Sequence, residues 1–419
     1  MTYDVAVIGL GYVGLALAVE CVRSGLRVAG LESDPHRAAA LVAGESYVDD
    51  VPDAELVAAL KAGLSVGTDA SVLADSEVVV LCVPTPLDAD RRPDVSSVRE
   101  AAATVARHLR ADCLVVVEST IWPGATDQVV RPLLEHSGLR AGEDFALAYS
   151  PERVDPGNPH FYLRNTPKVV AGYTTRCRDR AEVFYGKLVD EVVPVSGLRE
   201  AEMAKLLENT YRAVNIALVN EMAVLCDAMD VDLWESITAA ATKPFGFERF
   251  LPGPGVGGHC IPVDPEYLSH AAAEAGSRSR FVDLAREVNA SMSSYVVERV
   301  RRNLDRRGMS LRGARLVLLG VTYKADVADL RESPAMPIER GLRLLGATVS
   351  FVDPLVDAWR VDGRAIPRQR DTSAALASCD MAVLLQAHAA FDLESISRQG
   401  CPVLDTRGAL PASDFVELL

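Results

Sequence analysis

Residues 3–33 read YDVAVIGLGYVGLALAVECVRSGLRVAGLES. An apolar run, a glycine turn, an apolar helical pattern and a second apolar run follow one another, which is the order of a βαβ unit. Gly9, Gly11 and Gly14 stand between strand and helix, where they permit a tight turn and bring backbone amides close to a pyrophosphate. Glu32 ends the next strand, where a carboxylate accepts hydrogen bonds from ribose hydroxyls and repels a 2′-phosphate. The stretch therefore predicts an NAD site, and a glycine turn that binds nothing is the alternative.

The same rhythm continues along the chain. Apolar strand patterns recur at 77–83, 113–118 and 146–149, and return after Gly313 in ARLVLLG, GATVSFVDP, 381–385 and 402–405. Gly346 precedes Asp353 by the same seven positions that separate Gly25 from Glu32. We expect an α/β fold with two Rossmann-like, doubly wound parallel-sheet domains joined by a central helical region with a long helix. The predicted domains are 1–195, 196–305 and 306–419.

Two long helical patterns lack glycine and proline, at 201–230 and 280–307. In the first, one stripe is apolar and is expected to be core, whereas Lys205, Asn209 and Arg212 lie on the opposite face. The stripe consists of Leu207, Tyr211, Val214, Leu218 and Met222. The second pattern would span roughly 40 Å, a length that suits a bridge between domains or subunits.

Composition restricts the class of partner. The 419 residues carry a net charge of −15, which disfavours nucleic acid and anionic membranes as partners. The first residues lack the basic region of a signal peptide, so we expect a cytoplasmic protein. The eight cysteines are scattered without a CxxC pair, so neither disulfides nor a metal site are expected.

Residues 252–265 read PGPGVGGHCIPVDP and hold Cys260 in a loop rich in glycine and proline. Backbone amides in such a loop give a thiol access and positive potential, which favours a reactive cysteine over an inert buried one. Lys205 and Asn209 are one helical turn apart and are donors suited to an oxyanion, unless they form a solvated face. Thr85, Thr120 and Glu152 follow predicted strands, where ligands bind in open α/β sheets. A loop-stabilising role is the alternative for each of these three.

Several motifs in this order resemble the UDP-glucose/GDP-mannose dehydrogenase family over essentially the whole chain. They are GLGYVGL, CVPTP, ESTIWPGAT, SPERVDPGN, AEMAKLLENTYRAVNIALVNE, PGPGVGGHCIPVDP and GVTYKADVADLRESP. The resemblance implies an NAD-dependent enzyme that oxidises the C6 hydroxymethyl group of a nucleotide sugar to a carboxylate. It also implies a homodimer formed through the central helical region.

The resemblance assigns a role to six residues. Cys260 would form a thiohemiacetal and then a thioester with the substrate. Lys205 and Asn209 would stabilise oxyanions and place a water, and Asp264 would support proton transfer. Glu152 and Thr120 would assist the water and the acid–base steps.

The motifs also supply the binding residues. Those expected at NAD are Gly9, Gly11, Tyr12, Val13, Gly14, Glu32, Arg37, Pro84, Thr85, Ser119, Thr120 and Arg331. Those expected at the nucleotide sugar are Glu152, Arg153, Lys205, Asn209, Arg249, Leu251, Gly255, Gly257, Tyr323, Lys324 and Arg407. The basic members suit a diphosphate.

Glu118 and Pro262-Val263, where many glucose-specific members have lysine, resemble the subgroup that acts on UDP-N-acetylhexosamines. Leu251 departs from that subgroup, which commonly has an aromatic residue there. UDP-GlcNAc and UDP-glucose are the leading substrates, and UDP-ManNAc and dTDP-glucose are alternatives. A two-electron hydroxy-acid dehydrogenase and a non-catalytic protein that binds NAD or a nucleotide sugar are the other classes considered.

Overall fold

The computed structural model describes residues 2–155, 157–158 and 160–419, so Pro156 of the SPERVDPGN motif lies outside the described residues. The chain forms two compact units. The first runs to Glu208 and includes Glu266–Arg278, and the second comprises Asn209–Pro265 and Ser279–Leu419. The division into domains at 195 and 305 stays a prediction.

The first unit contains one sheet of eight strands. They are β1 (Tyr3–Ile8), β2 (Val28–Leu31), β3 (Leu64–Gly67), β4 (Ser76–Leu81), β5 (Leu114–Val117), β6 (Ala146–Tyr149), β7 (Lys168–Gly172) and β8 (Val192–Pro194). The order β3-β2-β1-β4-β5-β6 is that of a dinucleotide-binding fold, and these six strands are parallel. All residues of β2, β5 and β6 are buried, as in a sheet covered on both faces.

Among its described residues, the first unit also holds six complete α-helices, besides a 3-10 helix (Ala70–Asp75) and a π-helix (Thr126–Val130). They are α1 (Tyr12–Arg23), α2 (Pro35–Ala43), α3 (Asp53–Ala62), α4 (Ser96–His108), α5 (Arg131–Glu135) and α6 (Thr175–Tyr185). Local sequence determines several of their ends. Asp34 caps α2 by accepting from the amide of His36 at 2.8 Å, and Gly44 ends the helix at a φ of 83°.

Strand β7 departs from the parallel pattern expected from the sequence. It pairs antiparallel with β6, and β8 is parallel to β7. The strands β4 to β6 therefore end at the edge of the sheet where β7 begins. The first residue of β7, Lys168, is 2% exposed at that edge.

Helix α7 (Leu198–Met229) departs from the burial expected of its apolar stripe. The prediction that the apolar stripe is core was wrong for Leu207, Tyr211 and Leu218, whose exposed fractions are 60%, 48% and 52%. Lys205, from the polar face, is buried. Periodicity identifies residues that share a face, but it does not tell which face the rest of the protein covers.

The second unit is built around a five-stranded parallel sheet in the order β10-β9-β13-β14-β15. The strands here are β9 (Arg315–Leu319), β10 (Thr348–Val352), a hairpin of β11 (Trp359–Val361) and β12 (Arg364–Ile366), β13 (Met381–Leu384), β14 (Val403–Asp405) and β15 (Val416–Leu418). The remaining helices of this unit are α8 (Leu233–Ala240), α10 (Arg280–Arg306), α11 (Ala335–Leu344), α12 (Thr372–Ser378) and α13 (Leu393–Arg398). Helix α9 (Asp264–Glu274) begins in this unit and belongs to the first unit from Glu266 on. The expected long helix is α10.

Two Rossmann-like sheets with a helical region between them in sequence confirm the predicted fold class. Among the described residues, no helix is both long and apolar enough to cross a membrane.

Candidate functional site

The glycine turn of the first unit has the geometry that its spacing predicts. Gly9 adopts a φ of 87°, and a Cβ there would lie 2.6 Å from the carbonyl oxygen of Cys82. A Cβ on Gly14 would lie 1.9 Å from the carbonyl oxygen of Gly9, so only glycine lets α1 pack against this turn. A Cβ on Gly11 would meet nothing within 4 Å, which leaves open space in front of the helix.

This turn fits the pyrophosphate of NAD. Helix α1 has Gly11 as its N-cap, without a side-chain cap and without an acidic residue in its first turn, next to the space in front of Gly11. The N-terminus of a helix attracts anions because its first amides have no partner within the helix. Tyr12 and Val13, the first residues of α1, are partly exposed there.

Glu32 fits the ribose of the cofactor. The Leu10 amide donates to its Oε2 at 3.2 Å, and the Asp34 amide donates to its Oε1 at 3.1 Å, so the carboxylate is fixed beside the glycine turn. Tyr47 donates through its hydroxyl to the Leu10 carbonyl at 2.8 Å, and the Arg37 guanidinium stacks over the Tyr47 ring at 4.8 Å. Tyr47 was not identified from the sequence. It lies in a segment without a regular apolar pattern.

The loops after β4 and β5 are joined by Ser119. Its hydroxyl accepts from the Val83 amide at 3.0 Å and donates to the Val83 carbonyl at 2.8 Å. Pro84 is exposed, Thr85 is buried and Thr120 is partly exposed on these loops. Tyr267 of α9 donates to the Thr85 carbonyl at 3.1 Å. The structure thus brings both predicted loops to the C-terminal edge of the sheet that also carries the glycine turn.

Glu152 lies on the loop after β6, at the same edge. Its Oε1 accepts from the amides of Arg153 and Val154 at 2.8 and 2.7 Å, and its Oε2 accepts from Lys168 Nζ at 3.0 Å. The Arg153 guanidinium donates to the Pro167 carbonyl at 2.7 Å and lies 2.7 Å from a carboxylate oxygen of Glu208. Arg153 therefore braces this loop in the structure.

In the second unit, the glycines before Cys260 are required by Tyr323. Gly258 has a φ of 83°, and a Cβ there would lie 2.6 Å from Tyr323 Cε2. A Cβ on Gly257 would lie 2.7 Å from both Tyr323 Cβ and the Glu332 carbonyl oxygen. The Gly258 amide also donates to the Arg331 carbonyl at 3.0 Å. The loop is therefore packed tightly against the segment 323–332.

Cys260 is exposed and lies one turn ahead of α9. Its carbonyl accepts from the amides of Val263 and Asp264 at 3.2 and 2.8 Å. The positive end of a helix favours a thiolate, and exposure allows a substrate to reach the sulfur. Five of the other cysteines are buried, and Cys82 and Cys379 are partly buried.

Asn209 and Asp264 form a pair near this loop. The Asn209 amide nitrogen donates to Asp264 Oδ2 at 2.5 Å, and Asp264 is 3% exposed. The sequence predicted both residues but not their contact, because 55 positions separate them. A buried carboxylate held by an amide donor keeps a defined orientation for proton transfer.

The PGPG segment is held by three buried polar residues that the sequence analysis missed. Asn220 accepts from the Gly253 amide at 2.9 Å and donates to Asn289 Oδ1 at 2.9 Å, and Ser293 donates to the Pro254 carbonyl at 3.2 Å. In the sequence, the signal that could have identified them was the presence of polar residues among the apolar residues of α7 and α10. Gly255 takes a φ of 129°, whereas Leu251 and Arg249 are exposed.

Arg407 lies against the PGPG segment. A Cβ on Gly253 would be 3.0 Å from Arg407 Nη1, and Arg407 Nε donates to the Leu385 carbonyl at 2.6 Å. Burial lowers the pKa of Arg407 to about 10, and Asp405 acts in the opposite direction. The Asp405 carboxylate accepts hydrogen bonds from the four backbone amides of residues 407–410 and so stabilises this turn. A partly buried guanidinium in this position suits an anionic ligand.

The turn after β9 repeats the geometry of the first glycine turn but differs in its carboxylate. Gly320 has a φ of 75°, and the Val321 amide donates to Asp353 Oδ2 at 2.7 Å, as the Leu10 amide does to Glu32. His388 Nε2 lies 3.3 Å from the same Asp353 oxygen, and the Leu355 amide donates to the other at 2.8 Å. Asp353 is therefore occupied by the protein, so this turn does not offer its acid to a ribose.

Lys324 and Arg331 lie on the segment that follows this turn. Lys324 is partly buried, and its carbonyl accepts from the Thr322 hydroxyl at 2.8 Å. The Arg331 guanidinium binds the Asp329 carboxylate through Nε and Nη2, the latter at 2.6 Å. In the structure Arg331 is therefore ion-paired within its own turn.

Three family signatures match the chain. The UDP-glucose/GDP-mannose dehydrogenase family matches through its NAD binding domain at residues 3–189, its central domain at 199–291 and its UDP binding domain at 317–412. A UDP-N-acetyl-D-glucosamine 6-dehydrogenase of Pseudomonas aeruginosa is 37% identical over 356 residues, covering 84% of this chain and 83% of that protein. A UDP-N-acetyl-D-mannosamine dehydrogenase of Yersinia pestis is 33% identical over 425 residues, covering 96% of this chain and 98% of that protein.

A solved structure has the same fold over nearly the full length. The UDP-D-ManNAc dehydrogenase from Pyrococcus horikoshii superposes with a TM-score of 0.89 at 31% identity, covering 99% of this chain and 98% of that one.

Proposed function

This chain belongs to the UDP-glucose/GDP-mannose dehydrogenase family of NAD-dependent nucleotide-sugar dehydrogenases, and we propose that it oxidises the C6 hydroxymethyl group of a UDP-hexose to a carboxylate through a thioester on Cys260. The observation that carries the proposal is the setting of Cys260, an exposed thiol one turn ahead of a helix on a loop packed tightly by Gly257 and Gly258. A two-electron dehydrogenase would not need such a cysteine.

The first unit would hold the cofactor. NAD bound there would accept a hydride in each of the two oxidations. The amides at the start of α1 would bind the pyrophosphate, and Glu32 would bind the ribose hydroxyls. Ser119 would fix the two loops at the sheet edge relative to each other.

Cys260 would act on the aldehyde produced by the first oxidation. Its sulfur adds to the aldehyde carbon, and the carbonyl oxygen takes up a proton to give a thiohemiacetal. Oxidation of that adduct leaves a thioester. Water then adds to the thioester carbonyl and the C–S bond breaks, which releases the carboxylate, the Cys260 thiol and one proton.

Other polar groups would assist these steps. Lys205 and Asn209, one turn apart in α7, would donate to the developing oxyanions. Asp264, held by Asn209, would support proton transfer at Cys260. Glu152 and Thr120 would place the water that cleaves the thioester.

The substrate would be a nucleotide sugar held by the second unit. Arg407 beside Gly253 supplies a guanidinium for the diphosphate, and Lys324 a second positive charge. The relatives named for UDP-N-acetyl-D-glucosamine and UDP-N-acetyl-D-mannosamine favour a UDP-N-acetylhexosamine, with UDP-glucose and dTDP-glucose as alternatives. Leu251, exposed ahead of the PGPG segment, is the residue we expect to modulate that choice.

We also propose a homodimer formed through the region 196–305. The exposed apolar side chains of α7 support it, because a contiguous apolar stripe on a surface helix is typical of a protein interface. Leu218→Glu places a charge in the middle of that stripe and is expected to shift the sedimentation coefficient to that of a monomer. An unchanged coefficient would place the interface elsewhere.

The deciding experiment measures NADH formed per sugar consumed over UDP-GlcNAc, UDP-ManNAc, UDP-glucose, dTDP-glucose and GDP-mannose. The native enzyme is expected to form two NADH per molecule of acid, and Cys260→Ser is expected to form no acid. Cys379 is a partly buried cysteine of the same unit, and Cys379→Ser is the matched control. It should keep the native yield of acid and the ratio of two NADH per molecule of acid. One NADH per sugar together with full activity of Cys260→Ala would instead indicate a two-electron dehydrogenase. Tight binding without turnover would indicate a binding protein.

A further inference from the structure

A lysine is buried between two carboxylates at the C-terminal edge of the first sheet. Lys168 Nζ lies 3.0 Å from Glu152 Oε2 and 3.2 Å from Glu118 Oε2, and the lysine side chain is 2% exposed. The Tyr185 hydroxyl donates to the other oxygen of Glu118 at 2.5 Å. An ammonium in such a place is tolerated only because both partners are within contact distance.

The sheet topology assembles this group. Glu118 follows directly on β5, and Glu152 stands on the loop after β6. Because β7 is antiparallel to β6, its first residue, Lys168, begins at the edge where β5 and β6 end. Lys168 and Glu118 therefore lie at the same edge of the sheet as Glu152, the residue proposed to place the water.

The cluster of Lys168, Glu118 and Glu152 has more acidic groups than basic ones. One ammonium faces two carboxyl groups, so the two carboxyls do not ionise equally. Burial raises the pKa of Glu118, with Lys168 opposing the shift and Glu152 adding to it. Burial also acts against ionisation of Glu152, but Lys168, the Val154 amide and Lys205 outweigh it, and the pKa of Glu152 is lowered.

Other titratable groups around Glu152 do not supply a charge that could replace that of Lys168. Burial, followed by the nearby Glu118 charge, raises the pKa values of Cys82 and Tyr185 well above their ordinary range, so both are neutral near pH 7. The positive charges that face Glu152 from the surrounding elements are those of Lys168 on β7 and Lys205 on α7. Among the described residues, Lys168 is the one whose ammonium contacts the Glu152 carboxylate.

The hydrogen bonds of Glu152 indicate what its carboxylate can do. A carboxylate has about four lone-pair sites, and three are occupied here by Arg153 N, Val154 N and Lys168 Nζ. Among the described residues, one site of Oε2 is left, which suits a single water. An ionised carboxylate with this geometry orients a water by accepting one hydrogen bond from it.

We propose that Lys168 is a positioning residue that holds Glu152 as the ionised carboxylate which orients the water for thioester cleavage, and that Glu118 holds Lys168 in place. The catalytic consequence of this proposal rests on the proposed function. The effect of Lys168 on the ionisation of Glu152 does not. Removing the lysine takes away the ammonium that contacts both carboxyl groups. Glu152 then takes up a proton at higher pH.

The first test needs no substrate. In protein labelled with [δ-¹³C]glutamate, the Glu152 signal is assigned by its loss in Glu152→Gln and is titrated by NMR. In Lys168→Met, the Glu152 midpoint is expected to rise by at least about one pH unit, which is a tenfold change in its ionisation ratio. Lys168→Arg should stay near the native midpoint. Glu118→Gln should move it the other way, because it removes the competing negative charge and keeps the lysine.

The second test follows the thioester. Lys168→Met is expected to accumulate an acylated Cys260, seen in the intact mass, and to lose acid formation about tenfold for each pH unit below the raised Glu152 midpoint, with recovery above that midpoint. Lys168→Arg should show neither effect. An unmoved Glu152 midpoint in Lys168→Met and Glu118→Gln, or a loss of acid formation equal at every pH, overturns the proposal. If the native enzyme itself forms no acid, the proposed function fails, while the NMR titration still decides the effect of Lys168 on the ionisation of Glu152.

Discussion

Replacing Gly11 by alanine is expected to separate NAD binding from folding. Gly11 is the N-cap of α1 with a φ of −75°, and an added Cβ would meet nothing within 4 Å. The folded state therefore loses only the preference of an N-cap for glycine over alanine, about 1 kcal/mol or less. For a unit of this size, that lowers Tm by about 2–4 °C.

The effect on the cofactor should be much larger. The methyl group would occupy the space through which the pyrophosphate approaches the first amides of α1. A hydrogen bond to a charged group contributes about 1.5–3 kcal/mol, so the loss of one weakens NAD binding about 10- to 150-fold. Gly14→Ala is the contrasting variant, since its Cβ would lie 1.9 Å from the Gly9 carbonyl oxygen. Such overpacking costs about 1–3 kcal/mol or more and should lower Tm further than Gly11→Ala does.

Isothermal titration calorimetry with NAD and thermal melting by circular dichroism measure the two quantities on the same preparations. Native NAD affinity in Gly11→Ala would refute the placement of the pyrophosphate at this turn. A native Tm in Gly14→Ala would refute the contact between α1 and Gly9.

Three further predictions concern single residues of the two units. Gly258→Ala should reduce acid formation at least about tenfold at unchanged NAD affinity, because its Cβ would lie 2.6 Å from Tyr323 Cε2 at a φ of 83°; a native rate of NADH production would contradict this. Burial raises the pKa of Glu202 from its ordinary 4.5 to about 7, against hydrogen bonds from Thr126 and Gly124. The folded state thus binds more protons than the unfolded state between pH 4.5 and 7, so the free energy of unfolding should fall by up to about 3 kcal/mol as pH rises through that window. Urea midpoints at both ends of the window should show this fall in the native chain and a smaller one in Glu202→Gln, and equal falls would contradict the shift. His388→Leu should lower the free energy of unfolding by about 1–3 kcal/mol, because it removes the ring nitrogen beside the buried Asp353 carboxylate; an unchanged urea midpoint would show that the pair contributes nothing.

Local patterns were sufficient for the elements and for the glycine turn. The strand at 146–149 and the helix from 280 were predicted within a residue of β6 and α10, because a short apolar run and an uninterrupted helical period are patterns of neighbouring residues. Gly14 could be interpreted from spacing alone, since its steric requirement arises between a strand and the helix that follows it. The close approach of Gly9 to the Cys82 carbonyl joins distant segments and could not be obtained from the spacing. The candidate roles of the site residues stay predictions.

Contacts between distant segments could not be obtained in this way. The burial of Lys205 and the exposure of Leu207 depend on which side of α7 the protein covers, and the helical period is the same in either case. The Asn209–Asp264 pair joins residues 55 positions apart. No local pattern records such a distance.

The sequence by itself therefore determined the fold class, the family and the turn that suits a pyrophosphate, because each depends on short-range sterics and on the order of motifs. Only the tertiary structure decided that β7 runs antiparallel to β6 and carries Lys168 to Glu118 and Glu152. Strand direction is set by the packing of the whole sheet, and the ionisation of a buried carboxyl group is set by the charges that this packing brings within about 4 Å of it.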